Sequence, residues 1–166
     1  EYLDARKSII RTRPTNLGTL IAKANLWYAR KYSGEAVDAC IANAGGMRAS
    51  IGIATVLPGA TEVSFLPNEA TSYKKQGAIT QLDIESAQAF NNELVLVSLT
   101  GAQIKETLEE GLRLLPSPHG GFPQCAGLEY VVDSSRPAGE RIQKIMLEGK
   151  PLELEKGYRV VTLKYL

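Results

Sequence analysis

The apolar residues near the start of the chain follow a helical period. Over residues 16–32 they recur every three or four positions, which predicts an amphipathic helix. Thr15 or Asn16 is suited to cap its N-terminus, and Ser33 and Gly34 follow its last turn. The face expected to meet the core holds Leu17, Leu20, Ile21, Ala24, Trp27 and Tyr28.

Two further segments have helical spacing. After Thr100 and Gly101, residues 102–115 repeat apolar positions four residues apart, which predicts a second amphipathic helix. Its inward face is predicted to hold Ile104, Leu108 and Leu112. Residues 77–90 favour a turn followed by a short helix, which Thr80 is placed to cap.

Runs of apolar and β-branched residues predict the extended segments. The five predicted strands are residues 36–43, 93–99, 125–133, 141–149 and 158–166. Residues 49–76 mix short β-branched runs with Pro58, Gly59 and Pro67, which fits either a hairpin-like excursion or a long ordered loop. This succession of elements predicts a mixed α/β or α+β class with a layered core.

Composition and charge restrict the classes of function. The chain has 166 residues, 44% of them hydrophobic and 22% charged, which fits a single soluble domain over residues 1–166. A net charge of +1 argues against a surface-wide field for nucleic acid or membranes, so an anion site must be a local cluster of cations. No apolar run reaches the roughly 18 residues of a membrane span. The chain begins and stops within predicted elements, so we expect it to be part of a longer protein.

The residues most often used in catalysis are scarce. Cys40 and Cys125 do not make a disulfide framework, and their strand positions favour buried free thiols. The only histidine, His119, lies in a loop between proline and glycine residues, where solvent exposure is expected. Zinc hydrolases usually need several histidines, and no zinc-protease, nucleophile-elbow or P-loop motif is present. We therefore predict no catalytic residue and no metal ligand in this chain.

The segment NAGGMR follows the first predicted strand and ends in a cation. Gly45 and Gly46 allow a positive φ or a close backbone approach, and Arg48 could hold a phosphate or carboxylate by two parallel hydrogen bonds. The same residues equally fit a simple turn with a solvated arginine. Arg48 is therefore a candidate ligand that needs support from the rest of the chain.

Cations gather before the first long helix. They are Arg6, Lys7, Arg11 and Arg13. Free N–H groups and a partial positive charge at a helix N-terminus disfavour cations there, so the cluster indicates either a visiting anion or a solvated face. Together with Arg48, the cluster makes a phosphate pocket plausible.

Two aromatic residues stand next to polar breaks or chain ends. Phe90 precedes Asn91 and Asn92, and Tyr165 lies at the end of the last predicted strand. Each fits ordinary packing, but a pair of aromatics at opposed loop ends also fits a sandwich around a flat ring such as a nucleobase. The residue pattern alone leaves both interpretations open.

Six segments resemble, in order, the C-terminal domain of the 5′-nucleotidase family of metallophosphoesterases, which includes bacterial UDP-sugar hydrolases. They are RTRPTNLGTLIAKA (11–24), CIANAGGMR (40–48), GAITQLDIESAQAF (77–90), LVLVSLTGAQI (94–104), GGFPQCAGLEYVVD (120–133) and LEGKPLELEKGYRVVTLKYL (147–166). A single GG-x-R would be weak evidence, whereas six ordered segments cover most of the chain outside residues 49–76. The resemblance implies a mixed sheet packed with helices.

The resemblance also implies which function each of the two domains has in such enzymes. An N-terminal domain carries two divalent metal ions and the catalytic residues, while the C-terminal domain binds the nucleotide and rotates to present the phosphate. The present chain matches the second domain, so no cofactor is expected in it and it is expected to be inactive alone. Residue by residue, the substrate-binding positions carried over are Arg11, Asn43, Gly45, Gly46, Arg48, Phe90, Tyr165 and Lys7.

Their implied roles differ. Arg11 and Arg48 match phosphate-holding arginines, and Asn43 opens the turn and orients the ligand. Phe90 and Tyr165 match the two aromatics that stack on the base. Lys7 falls where some bacterial members of the family have a further arginine, and Arg6 beside it could substitute.

The sequence departs from the family pattern in several places. Ala89 stands where a proline usually precedes the stacking phenylalanine, which puts the placement of Phe90 in question. The family's G-G-D-G segment, whose aspartate usually holds the ribose, should follow the final strand, but the sequence stops at Leu166. Residues 51–76 are longer than in bacterial relatives and are expected to reshape the pocket rim or a domain contact.

These features lead to one main hypothesis and two alternatives. The main hypothesis is the substrate-recognition domain of a metal-dependent 5′-nucleotidase or nucleotide-sugar hydrolase, with the N-terminal metallophosphoesterase domain as its partner. The alternatives are a 2′,3′-cyclic-nucleotide phosphodiesterase of the same family, and a non-catalytic nucleotide-binding or surface module. The resemblance implies a periplasmic or cell-surface location, and neither nucleic-acid binding nor a membrane span is expected.

Overall fold

Four strands form the central sheet of the computed structural model, which describes residues 1–166. In sheet order they are β4 (Leu94–Thr100), β9 (Gly157–Leu163), β1 (Ala39–Asn43) and β5 (Pro123–Ala126). β9 runs parallel to β1, while the two outer pairs are antiparallel, so the sheet is mixed as predicted. Every residue of β1 is buried, as expected for a central strand covered on both faces.

Two smaller sheets flank the central one. One is the antiparallel hairpin of β2 (Ile53–Val56) and β3 (Val63–Leu66), so the hairpin interpretation of residues 49–76 is confirmed for its first half. The other contains β6 (Leu128–Val132), β7 (Ile142–Leu147) and β8 (Lys150–Pro151). The hairpin leaves most of its side chains exposed, because no helix or sheet covers it.

Four helices complete the fold. They are α1 (Lys7–Ile10), α2 (Asn16–Tyr32), α3 (Gln81–Ala87) and α4 (Gly101–Leu112). The predicted caps Thr15 and Thr80 are confirmed, and Thr100 caps α4 in the same way: each hydroxyl accepts a backbone N–H of the first turn. None of these helices is both long enough and apolar enough to cross a membrane.

Helix α4 buries the face that its sequence predicts, whereas α2 buries only Leu17 and Ile21 of its predicted face. Ile104, Leu108 and Leu112 are fully buried in a core cluster of 27 residues. On α2, however, Leu20, Trp27 and Tyr28 are 45%, 58% and 53% exposed, and Ala24 is exposed as well. The residues that α2 buries are Leu17, Gly18, Ile21, Ala22, Leu26 and Ala29.

The shift of the buried face of α2 has a steric cause. An added Cβ at Gly18 would lie 2.1 Å from the side-chain oxygen of Gln124, so the sheet approaches the helix on its small-residue side. Trp27 and Tyr28 are too bulky for such a close approach and instead meet Tyr32 at the surface. Periodicity detects an apolar helix, but it cannot choose between two adjacent apolar faces.

The predicted strand over residues 125–133 is wrong as one element. Residues on either side of Gly127 belong to β5 and β6, which lie in different sheets. Gly127 has a φ of +78°, and a Cβ there would lie 2.6 Å from the Asp38 carbonyl oxygen, so the chain bends where only glycine fits. The first and last predicted strands are real but shorter, spanning Ala39–Asn43 and Gly157–Leu163.

A buried carboxylate fastens α4 to β7. Glu109 is 5% exposed and accepts hydrogen bonds from the backbone N–H groups of Arg141 at 3.1 Å and Ile142 at 2.6 Å. The guanidinium of Arg141 in turn donates to the carbonyl of Leu112 in the last turn of α4, where a cation is favoured. The two side chains therefore satisfy backbone groups at the end of a helix and at the start of a strand.

Replacing this carboxylate should destabilise the fold. We expect Glu109→Ala to lower the free energy of unfolding by about 2–4 kcal/mol, because two buried N–H groups lose their acceptor. Glu110→Ala on the same helix is the matched control, since it removes only an exposed pair with Arg113 and should cost less than about 0.5 kcal/mol. Urea unfolding measures both variants, and equal losses would contradict the assigned role of Glu109.

Candidate functional site

A cleft of about 540 Å³ opens where β1 ends. Its walls are contributed by five segments: the turn after α1, the turn that follows β1, the segment after α3, the loop before β5 and the residues after β9. Of the eight site residues expected from the sequence, the structure brings seven to this one cleft. They are Arg11, Asn43, Gly45, Gly46, Arg48, Phe90 and Tyr165.

The eighth expected residue lies outside the cleft. Lys7 is the first residue of α1, is exposed and is absent from the cleft walls. Arg6, the suggested substitute, pairs with Asp4 at 2.7 Å and lies 4.0 Å from the centre of the Phe65 ring. Although partial burial opposes it, hydrogen bonding from Arg6 holds the pKa of Asp4 below its ordinary value. Arg6 therefore contacts the hairpin and does not line the cleft.

The glycine turn, Ala44–Gly46, packs against the loop that precedes β5. Gly45 N donates to Gly120 O at 2.7 Å, and a Cβ added to Gly45 would lie 3.0 Å from that same oxygen. Neither Gly45 nor Gly46 has a positive φ. Of the two possibilities that the sequence left, close backbone approach is therefore the reason for Gly45, and the approaching atom belongs to the protein.

Asn43 carries an unsatisfied polar atom. The residue is 6% exposed, and its Oδ1 is buried without a hydrogen-bond partner. Leaving such an acceptor unpaired costs about 1–3 kcal/mol, so stable folds rarely keep one without a reason. Asn43 also forms part of the cleft wall, but its buried Oδ1 is not itself open to the cleft.

Two arginines in the cleft have no acidic partner. Neither Arg11 nor Arg48 takes part in any of the seven ion pairs, and no Asp or Glu lines the cleft. Arg48 is exposed, its guanidinium lies 5.3 Å from the centre of the Phe90 ring, and the only hydrogen bond of that guanidinium is a long one of 3.4 Å to Gly45 O. Two uncompensated guanidinium groups in a concave site favour an anionic ligand.

The two aromatic residues of the cleft are open to solvent. Phe90 is 57% exposed and Tyr165 is 79% exposed, so neither is an ordinary core residue. Phe90 follows α3, and Asn91 after it has a φ of +46°, which turns the chain back toward β4. Phe90 thus reaches the cleft although Ala89 replaces the proline expected before it.

Sequence reasoning missed four residues of the cleft wall. They are Asn92, Gly120, Gly121 and Leu166. The loop around His119 was expected to be solvent-exposed, but His119 is partly buried, its backbone N–H donates to Arg11 O at 3.1 Å, and Nδ1 lies 3.5 Å from Gly111 O. The signal for this loop in the sequence was the pair Gly120–Gly121, since it resembles the pair Gly45–Gly46 of the glycine turn, which it contacts.

The chain offers no grouping of ligands for a metal ion. No cluster of three or more His, Cys, Asp or Glu residues occurs. Both cysteines are free; Cys40 is buried as predicted, whereas Cys125 is partly buried. Burial raises the pKa of Cys40 to about 12 and also raises that of Cys125. Neither thiol therefore has the character of a nucleophile near neutral pH.

Comparison with known proteins gives consistent matches. A family profile described as "5′-nucleotidase, C-terminal domain" matches residues 3–166. The trifunctional nucleotide phosphoesterase protein YfkN of Bacillus subtilis is 31% identical over 99% of this chain and 10% of its own length. A 5′-nucleotidase of Homo sapiens is 26% identical over 99% of this chain and 27% of its own length.

Solved structures agree. The crystal structure of a 5′-nucleotidase precursor from Thermus thermophilus superposes with a TM-score of 0.78 and 31% identity, covering 99% of this chain and 28% of that one. The NAD nucleotidase of Haemophilus influenzae, at 23% identity and a TM-score of 0.64, shares the fold; the match covers 94% of this chain and 26% of that one. The chain thus spans between about a tenth and just over a quarter of the relatives it matches.

The two glycines of the turn should differ in their tolerance of a methyl group. We expect Gly45→Ala to lower the free energy of unfolding by about 1–2 kcal/mol, because its Cβ would crowd a tethered carbonyl oxygen. Gly46→Ala is the matched control, since its nearest contact would be an ordinary 3.5 Å from Leu163, and it should be neutral or slightly stabilising. Thermal unfolding of both variants checks this, and equal tolerance would refute the close-approach argument.

Proposed function

The chain belongs to the 5′-nucleotidase C-terminal domain family, and on this basis we propose that it recognises the nucleotide substrate of a metal-dependent phosphoesterase. The observation that carries the proposal is the meeting of two unpaired arginines and two exposed aromatics in one cleft. The cleft volume of about 540 Å³ lies in the range typical of small-ligand sites.

The arginines supply the phosphate contacts. Arg11 and Arg48 have no competing carboxylate, so their N–H groups are available to the oxygens of a phosphate. A guanidinium presents parallel donors that match two phosphate oxygens, and such charge-assisted hydrogen bonds are stronger than neutral ones. The overall charge of +1 means that this attraction is local to the cleft.

The aromatics supply the contact to the base. Phe90 and Tyr165 line the same cleft with most of their ring surface uncovered, as stacking on a flat heterocycle requires. Stacking of a base on an aromatic side chain is worth about 1–3 kcal/mol and tolerates different bases. Asn43 and Asn92 add amide groups that can hydrogen-bond sugar hydroxyls or base edges.

The bond-breaking chemistry lies outside these residues. The cleft contains no acidic side chain, histidine or thiol that could act as a base or a nucleophile, and the chain has no set of side chains that fits a metal ion. We therefore propose that a metallophosphoesterase domain of the same polypeptide holds the two metal ions, and that this chain holds and orients the substrate for it.

Calorimetry with the 166-residue chain tests the proposal. AMP, UMP, UDP-glucose and 2′,3′-cyclic AMP should be compared with adenosine, and at least one phosphate-bearing ligand is expected to bind more tightly than adenosine. The cyclic nucleotide is included because one relative is called a trifunctional nucleotide phosphoesterase. If none of these ligands binds to the folded chain, the proposal is wrong.

Removing one phosphate contact should affect nucleotides selectively. We expect Arg48→Ala to weaken AMP binding by about 1.5–3 kcal/mol and to leave adenosine binding nearly unchanged, because one charge-assisted contact is lost. Arg136→Ala is the control, since Arg136 lies in a surface turn outside the cleft and pairs with Asp133 at 3.6 Å. Equal losses for AMP and adenosine would show that Arg48 does not contact the phosphate.

Removing a stacking ring should have the opposite selectivity. We expect Phe90→Ala to weaken AMP and adenosine alike by about 1–3 kcal/mol, since both ligands carry the base. Tyr73→Ala is the control, because Tyr73 is an 85% exposed aromatic outside the cleft. Undiminished affinity for adenosine in Phe90→Ala would place the base elsewhere.

A further inference from the structure

Gln124 in β5 is at the centre of a buried hydrogen-bond network next to the cleft. Its side chain is fully buried, and its Nε2 donates to Ile10 O and to Arg13 O, each at 2.9 Å. Its Oε1 accepts from Thr15 N at 3.1 Å. All three hydrogen bonds go to residues 10–15, here called the arginine segment, and they bracket Arg11 on both sides.

The surroundings of Gln124 fix its amide in one orientation. Two carbonyl oxygens require the donor end and one N–H requires the acceptor end, so the amide cannot turn over without losing all three bonds. Gly18 of α2 leaves the room for this side chain, since a Cβ there would lie 2.1 Å from Oε1. On the sheet, Gln124 is paired with Ala42 of β1, one residue before Asn43. The amide therefore joins the arginine segment to the strand that ends at the cleft.

Few hydrogen bonds other than those of Gln124 hold the arginine segment, although the side chain of Ile10 is fully buried in the core. Helix α1 before it has four residues, which is too short to be stable on its own. Arg11 is the C-cap of that helix, and its carbonyl accepts from His119 N at 3.1 Å in a loop. Apart from local turns, this single bond and the burial of Ile10, the three hydrogen bonds of Gln124 are the link between the segment and the sheet.

We propose that Gln124 is a positioning residue that fixes the backbone of Arg11 so that its guanidinium stays in the cleft. The inference rests on the proposed function, because it takes Arg11 to be a phosphate contact. Gln124 does not line the cleft and touches no ligand there, so it acts only through Arg11. Loss of the Gln124 amide should leave the charge of Arg11 intact but allow its guanidinium to occupy several positions. The binding of phosphate-bearing ligands then weakens, while the binding of the bare nucleoside is unchanged.

The variant Gln124→Met tests this in the whole chain, because methionine keeps the length and apolar volume while removing the three hydrogen bonds. Calorimetry with AMP and adenosine should show about a tenfold loss of AMP affinity and an unchanged adenosine affinity. Glu109→Ala is the matched control: it also removes buried hydrogen bonds to backbone groups, but Glu109 neither lines the cleft nor bonds to the arginine segment. It should leave the ratio of AMP to adenosine affinity unchanged even though it lowers stability.

A double-mutant cycle with Arg11→Ala separates positioning from general loosening. If Gln124 acts through Arg11, adding Gln124→Met to Arg11→Ala should cause no further loss of AMP affinity, whereas adding it to Arg48→Ala should cause its full loss. An equal further loss in both backgrounds would overturn the positioning role. Should Gln124→Met lack a cooperative unfolding transition, Gln124→Asn takes its place, since it keeps a neutral amide but withdraws it by one methylene from the three backbone groups.

The outcomes also distinguish this inference from the proposed function. If Arg11→Ala and Arg48→Ala both weaken AMP selectively but Gln124→Met does not, the positioning role is wrong and the proposed function stands. If neither arginine variant changes the preference for AMP over adenosine, the proposed function is wrong, and the positioning role is wrong with it.

Discussion

The antiparallel pairing of β1 with β5 is the constraint on which the cleft depends. The ladder ends at Asn43 and Pro123, but the two chains stay side by side beyond it. Ala44 N donates to Phe122 O at 2.9 Å and Gly45 N to Gly120 O at 2.7 Å. The glycine turn therefore continues the backbone hydrogen bonding between the two chain segments beyond the end of the ladder. A residue with a side chain at position 45 would push these segments apart. The position of the cleft thus follows from ordinary strand pairing, carried two residues further by glycine.

The sequence predicts much of this fold because the relevant signals are local. Thr80 and Thr100 cap helices through contacts three residues away, and α4 buries a face that its own period defines. The predictions from sequence are wrong where contacts with distant residues determine the local structure. Which face of α2 is buried depends on Gln124, more than a hundred residues away, and the break at Gly127 depends on the approach of Asp38. Such contacts cannot be seen in a window of about fifteen residues.

The same reasoning explains the prediction of the site. Arg11, Arg48, Phe90 and Tyr165 come from four separate segments, and no local pattern joins them. The family resemblance did so, and the structure brings these residues to one cleft. Lys7, expected from the same resemblance, is turned away because α1 places it on the exposed side before the chain reaches Arg11. The hydrogen bonds of Gln124 and of the His119 loop could not be predicted from the sequence, because their partners are backbone atoms that are distant along the chain.

The cleft keeps several groups in states that do not favour stability, and their arrangement is the strongest physical argument for a ligand. Two guanidinium groups lack partners in a chain that forms seven ion pairs elsewhere, and Oδ1 of Asn43 is buried without a donor. Two rings also stand mostly in water. Each feature alone is common, but local conflicts that meet in one place are expected at functional sites. A ligand with an anionic group and a flat ring would pair the two guanidinium groups and cover the two rings together. A nucleotide has this combination of groups, whereas inorganic phosphate or a nucleoside alone satisfies only part of it.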